Sequence, residues 1–101
     1  MTLRVVSLAE DELAESALWY EDQQVGLGVQ FLDEYQNVIR RILAAPTLYG
    51  RVETTRSKRN LRRRSFKRFP YYVIYEQLGE EIVVLAVAHA KRRPNYWIRR
   101  R

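Results

Sequence analysis

An α+β domain of order β-α-α-β-β-β is predicted by three features of the 101-residue sequence, with an antiparallel sheet that carries an N-terminal helical hairpin on one face. A short β-branched stretch opens the chain. Two segments with apolar residues at spacings of three and four follow it, and three β-rich segments fill the second half. Helical patterns grouped ahead of strand patterns belong to folds whose helices sit on one side of an antiparallel sheet.

Leu3 to Val6 is short and β-branched, and it runs into Ser7-Leu-Ala-Glu10, which has the S-x-x-E spacing of a capping box. From Ala9 to Gln24, Leu13, Ala17 and Tyr20 recur at helical spacing, flanked by Ala14 and Leu18, and Asp11, Glu12, Glu15, Glu21 and Asp22 supply polar faces. "VGLG" breaks that pattern. A second helix is expected from Leu27 to about Ala44, with Phe31, Leu32, Tyr35, Val38, Ile39, Ile42 and Leu43 as its apolar stripe. Pro46 closes it, because the residue before a proline is pushed out of helical geometry. A connection this short makes the two helices an antiparallel hairpin.

Residues 46–60 read as a loop. Strands are expected at Leu61 to Phe66, Tyr71 to Glu76 and Ile82 to His89, the last two joined across "QLGE", where Gly79 suits a tight turn. Pro70 opens its strand, since it has no amide to give to a ladder. Pro94-Asn-Tyr-Trp reads as a turn or short helix before the basic tail Arg99 to Arg101. Residues 1–101 are therefore expected to form a single domain, as the length alone favours.

Composition limits the chemistry. There is no Cys, which removes disulfides and thiolate nucleophiles, and one His without Cys cannot build a structural zinc site, so no metal or cofactor is expected. No apolar run approaches the roughly 20 residues of a membrane span, and the N-terminus lacks the basic and apolar regions of a signal peptide, so a cytoplasmic protein without membrane contact is expected. The net charge of +6 is divided unevenly. Residues 1–45 hold three basic and eight acidic side chains, whereas residues 46–101 hold 15 basic and four acidic. Residues 51–68 alone carry nine basic side chains against Glu53. A merely solvated face mixes signs, so this run points to an anionic partner.

The helix start at Ser7 to Glu10, "WYEDQQVGLGVQFLDEY", "RRRSFKRFPYYVIYE" and "VLAVAHAKRRPNYW" together resemble the RelE/ParE superfamily of toxins from type II toxin–antitoxin systems, over nearly the whole chain. The resemblance implies a growth-inhibiting toxin neutralised by a cognate antitoxin, whose acidic or amphipathic segment folds on binding. It also implies one of two modes of action. One is ParE-like poisoning of DNA gyrase by binding, which the hairpin and the "FPYYVIY" and "AVAHAKRRPNYW" stretches favour. The other is RelE-like, metal-independent cleavage of mRNA on the ribosome. A homodimer and a hetero-oligomer with the antitoxin both remain open.

For RNA cleavage the chemistry needs a group to take the 2′-hydroxyl proton, cations on the phosphate and an acid for the leaving oxygen. His89 and Tyr96 are the proton-transfer candidates, and Arg62, Arg64, Arg92 or Arg93 could clamp the phosphate, with Arg64 as the first choice. Ala90 directly after His89, and the split of the candidates across Pro94, depart from the best-known ribonuclease pattern. For target or nucleic-acid binding the candidates are Arg62, Arg64, Lys67, Arg68, Lys91, Arg92, Arg93 and Trp97. The competing structural roles are a hydrogen-bonded His89 at a strand end and Tyr96 and Trp97 closing the core, while the binding reading expects one sheet face shielded by the helices and the other bare and positively charged.

Overall fold

The computed structural model describes residues 1–48, 50–52 and 58–100. The elements run β1 (Thr2–Val5), α1 (Ser7–Gln23), α2 (Leu27–Ala44), β2 (Leu61–Ser65), β3 (Tyr71–Leu78) and β4 (Glu81–His89), in the expected order. Part of the basic run, Arg56 with Glu53, lies outside the described residues, as does Arg101.

The sheet order is β1-β4-β3-β2. β2, β3 and β4 pair antiparallel, but β1 pairs parallel with β4, so the sheet is mixed rather than wholly antiparallel. The reason is topological: the helical hairpin carries the chain from β1 back over one face, and β4 returns beside β1 in the same direction. The capping-box reading of Ser7 is also corrected. Val6 is still held in the ladder through its N–H to the Val84 carbonyl at 3.0 Å, and its own carbonyl accepts from the amides of Ala9 and Glu10. Val6 is thus the residue half inside the helix, and no side chain caps α1.

The turn between the helices is fixed by one carboxylate. Glu21 accepts hydrogen bonds from the amides of Gly26, at 2.9 and 3.1 Å, and Gly28, at 3.0 Å, so the acid of α1 satisfies the orphan donors at the start of α2. Gly26 sits at φ 90°, where only glycine is unstrained. Gly28 is the point of closest approach: a Cβ there would lie 2.6 Å from the Ala17 carbonyl oxygen.

α2 buries Phe31, Tyr35, Val38, Ile39 and Ile42. Phe31 meets the Tyr71 ring of β3 at 4.9 Å between centroids, and Tyr75 donates its hydroxyl to the Pro46 carbonyl at 2.7 Å. The odd-numbered residues of β3 therefore face the helices and the even-numbered ones face away. Tyr72, Ile74 and Glu76 on the far side are nevertheless buried, and Ile82 to Ala88 of β4 are buried without alternation. The far face is not bare as expected. Glu76 there pairs with Arg59 at 2.8 Å, and the same guanidinium donates to the carbonyls of Ile98 and Arg100, at 2.5 and 3.2 Å, so the C-terminal segment is tied to this face.

Replacing Gly28 with Ala should destabilise the fold by about 1–3 kcal/mol, as overpacking at a close backbone contact does. Urea denaturation followed by circular dichroism reads this directly, and an unchanged midpoint would show that the helices can part without cost.

Candidate functional site

Beyond Val84 the β1 edge of β4 has no strand partner, since β1 ends at Val5. The unpaired half of that edge is completed by side chains. Glu12 of α1 accepts the Val87 amide at 3.1 Å, and Arg100 donates to the Leu85 carbonyl at 3.1 Å. The two side chains also pair with each other at 2.8 Å. Leu85 lies at the β-bulge, where the register moves from Ile74↔Ala86 to Tyr75↔Val84.

Glu12 is also the centre of a cluster from the C-terminal segment. Tyr96 donates its hydroxyl to Glu12 at 2.5 Å, and the Arg92 guanidinium lies 3.6 Å from the same oxygen. Arg92 stacks 3.8 Å above the Tyr96 ring and Arg100 lies 5.0 Å from its centroid, both within cation–π range. Burial, then the hydrogen bond to Glu12, push the Tyr96 phenol far above its ordinary ionisation range.

His89 ends β4, half-buried, with Nδ1 accepting the Lys91 amide at 3.0 Å and its ring edge-on to Tyr71 at 5.1 Å. It opens on a recess of about 110 Å³ together with Glu12, Ser16 and Arg92. Arg64 lines a different cleft of about 510 Å³ at the β2 edge, with Arg51, Arg63 and Ser65. The structure therefore brings His89 and Tyr96 to one end of the sheet, on either side of Arg92, and leaves Arg64 two strands away.

The binding candidates divide similarly. Arg62 donates to the Asn60 side chain and the Thr47 carbonyl, at 3.2 and 3.1 Å. Lys67 and Arg68 occupy the β2–β3 turn, where their amides donate to buried Glu34 of α2 and the Arg68 side chain approaches the same carboxylate at 3.4 Å. Lys91, Arg92 and Arg93 are exposed beyond β4. Trp97 is only 2% exposed, a core residue whose ring offers no stacking surface. Arg63, by contrast, is exposed, with its guanidinium 4.1 Å from the Tyr72 ring centroid.

Sequence reasoning missed Glu12, Arg59 and Arg100. Glu12 looks like any other acid of α1, and only the excess of acid before residue 45 against base after it hints that the halves meet. A second surface also stands out: Leu18, Trp19, Val25, Val29 and Leu32 are exposed apolar residues grouped around the tip of the helical hairpin. Among the described residues no group of three His, Cys, Asp or Glu side chains comes together to hold a metal ion, and no helix is long and apolar enough to cross a membrane.

Residues 3–94 match the family described as "ParE toxin of type II toxin-antitoxin system, parDE". The fold is similar to a solved structure, "Chromosomal ParDE TA system from P. aeruginosa", with a TM-score of 0.64 and 17% identity, covering 88% of this chain and 95% of that one. No curated protein matches the chain.

One measurement tests the cluster and a second tests a buried tyrosine of α2. Tyr96→Phe removes a hydrogen bond to a charged group and should cost about 1.5–3 kcal/mol in urea denaturation. Tyr35 is likewise pushed up to about 12, by burial and then by Glu10. Tyrosines raised in the fold stay protonated while those of the unfolded chain ionise near 10, so their stabilising contribution is complete below pH 10 and disappears as pH climbs through about 12. The urea midpoint should fall across that window, and less steeply in Tyr35→Phe.

Proposed function

The chain belongs to the ParE toxin family of type II toxin–antitoxin systems, and on that premise we propose that it arrests growth by binding DNA gyrase, in the cytoplasm, until a cognate antitoxin covers it. The observation that carries this choice over RNA cleavage is the occupation of Tyr96. Its hydroxyl is committed to Glu12 and its ionisation is strongly disfavoured, so it is a poor proton carrier near neutral pH. Of the expected phosphate clamps, Arg64 lines a separate cleft from His89, while Arg92 lines the same recess as His89.

In this reading the target contacts are cationic side chains: Arg62 and Arg64 on β2, Lys67 and Arg68 at the turn, and Lys91, Arg92 and Arg93 beyond β4. They act by charge and shape, through steering and through charge-assisted hydrogen bonds. Trp97 has no part in it. The antitoxin is a segment with an apolar face for the hairpin tip around Trp19 and Val25, and acids for the basic side; it folds as it binds, giving a hetero-oligomer. RNA cleavage on the ribosome is the second reading, and the recess that places His89 beside Arg92 is the observation that favours it.

Induced expression should stop growth, purified protein should block supercoiling by purified gyrase, and transcripts should keep intact 5′ ends. His89→Ala should keep that inhibition, whereas Arg92→Glu with Arg93→Glu should weaken it by about tenfold or more. Cuts at fixed codon positions with unaffected supercoiling would overturn the assignment in favour of RNA cleavage.

A further inference from the structure

A cleft of about 660 Å³ lies between the β1–α1 junction and the C-terminal segment, lined by Ser7 and Leu8 on one side and by Arg92, Arg93, Arg99 and Arg100 on the other. Its volume falls in the range of small-ligand sites. Two of the guanidiniums are held in place from behind, Arg100 by Glu12 and the Leu85 carbonyl, and Arg92 by the Tyr96 ring. Arg93 and Arg99 are exposed, and among the described residues neither has a carboxylate within ion-pair distance. Among the described residues Glu12 is the one carboxylate in ion-pair contact with the group, reached by Arg92 and Arg100.

Like charges converging on one cleft repel each other unless an anion of high charge density sits among them. We propose that this cleft is a binding site for a compact polyphosphate, the chain of linked phosphates found as inorganic tripolyphosphate or on a nucleoside triphosphate. Arg93 and Arg99 bind its outer phosphates through their planar forks, and Arg92 and Arg100 supply the fixed inner charge. The Ser7 hydroxyl, in the first turn of uncapped α1, stands on the opposite wall. A carboxylate peptide spreads its charges one per side chain, and a nucleic-acid strand spaces its phosphates along an extended backbone, so neither matches four cations around one recess. The ligand bridges α1 to the C-terminal segment and therefore stabilises the fold, since it binds only the folded chain. The site shares Arg92 and Arg93 with the proposed gyrase contacts, but its binding is read without gyrase or antitoxin, so it can fail or hold separately from that reading.

The test is calorimetric titration of the full chain with sodium tripolyphosphate, with a nucleoside triphosphate and with short duplex DNA, at about 0.15 M salt to suppress loose surface binding. Saturable single-site binding of tripolyphosphate, with a rise in melting temperature, is the expected result. Arg93→Ala with Arg99→Ala should weaken it by about tenfold or more, while Arg51→Ala with Arg63→Ala, in the other basic cleft, should leave it unchanged. Arg99→Glu alone provides a second variant that alters a single exposed side chain, and circular dichroism confirms that each variant is folded. A nucleoside triphosphate that binds more tightly than tripolyphosphate identifies a nucleotide as the ligand, and weaker binding identifies the inorganic chain; both support the site. Absence of saturable tripolyphosphate binding, equal weakening by both double variants, or duplex DNA binding through Arg93 and Arg99 in place of tripolyphosphate would overturn it.

Discussion

The ladder between β1 and β4 is too short for β4. β1 spans four residues and β4 nine, so the edge of β4 beyond Val84 loses its partner just where the chain turns away into α1. An amide at Val87 and a carbonyl at Leu85 left without partners in a buried setting would each carry a desolvation cost of about 1–3 kcal/mol. Glu12 and Arg100 stand in for the missing strand, one accepting and one donating, and their opposite charges hold them side by side. Most of what is distinctive at this end of the molecule follows from that substitution.

Arg100 can reach Leu85 only if the residues before it cross the end of the sheet, which brings Tyr96 onto Glu12 and buries Trp97. Arg59 makes the second attachment. It meets Glu76, whose side chain is 1% exposed, and in the same fork takes the carbonyls of Ile98 and Arg100. A buried carboxylate is tolerable only with such a partner, because removing one member leaves an uncompensated charge. Several cations that look in sequence like one polyanion-binding run therefore have structural contacts: Arg59 pairs with Glu76, Arg62 donates to the Thr47 carbonyl and Arg68 approaches Glu34.

The sequence was most legible where the signal is periodic. α2 was expected over Leu27 to Ala44 and occupies those residues, because seven apolar side chains mark its stripe and Pro46 marks its end. β3 and β4 were legible as runs of β-branched and aromatic residues around Gly79. The parallel pairing of β1 was not, since four residues carry no sign of their neighbour. The Glu12 cluster was equally hidden: Glu12 lies 84 residues from Tyr96 and 88 from Arg100, and no local pattern distinguishes it from the other acids of α1. Trp97 was ambiguous for a related reason, because an aromatic residue among arginines reads alike as a stacking platform and as a lid on the core. Its burial became evident only once the attachment through Arg59 was known.

Amide hydrogen exchange at Val87 tests the central claim most directly. If Glu12 replaces the missing strand, the Val87 amide is protected in the native chain to a degree comparable with the β1-paired residues of β4, and Glu12→Ala abolishes that protection while the amides bonded between β3 and β4 keep theirs. A Val87 amide that exchanges freely in the native chain, or that stays protected after the Glu12 carboxylate is removed, would contradict the account.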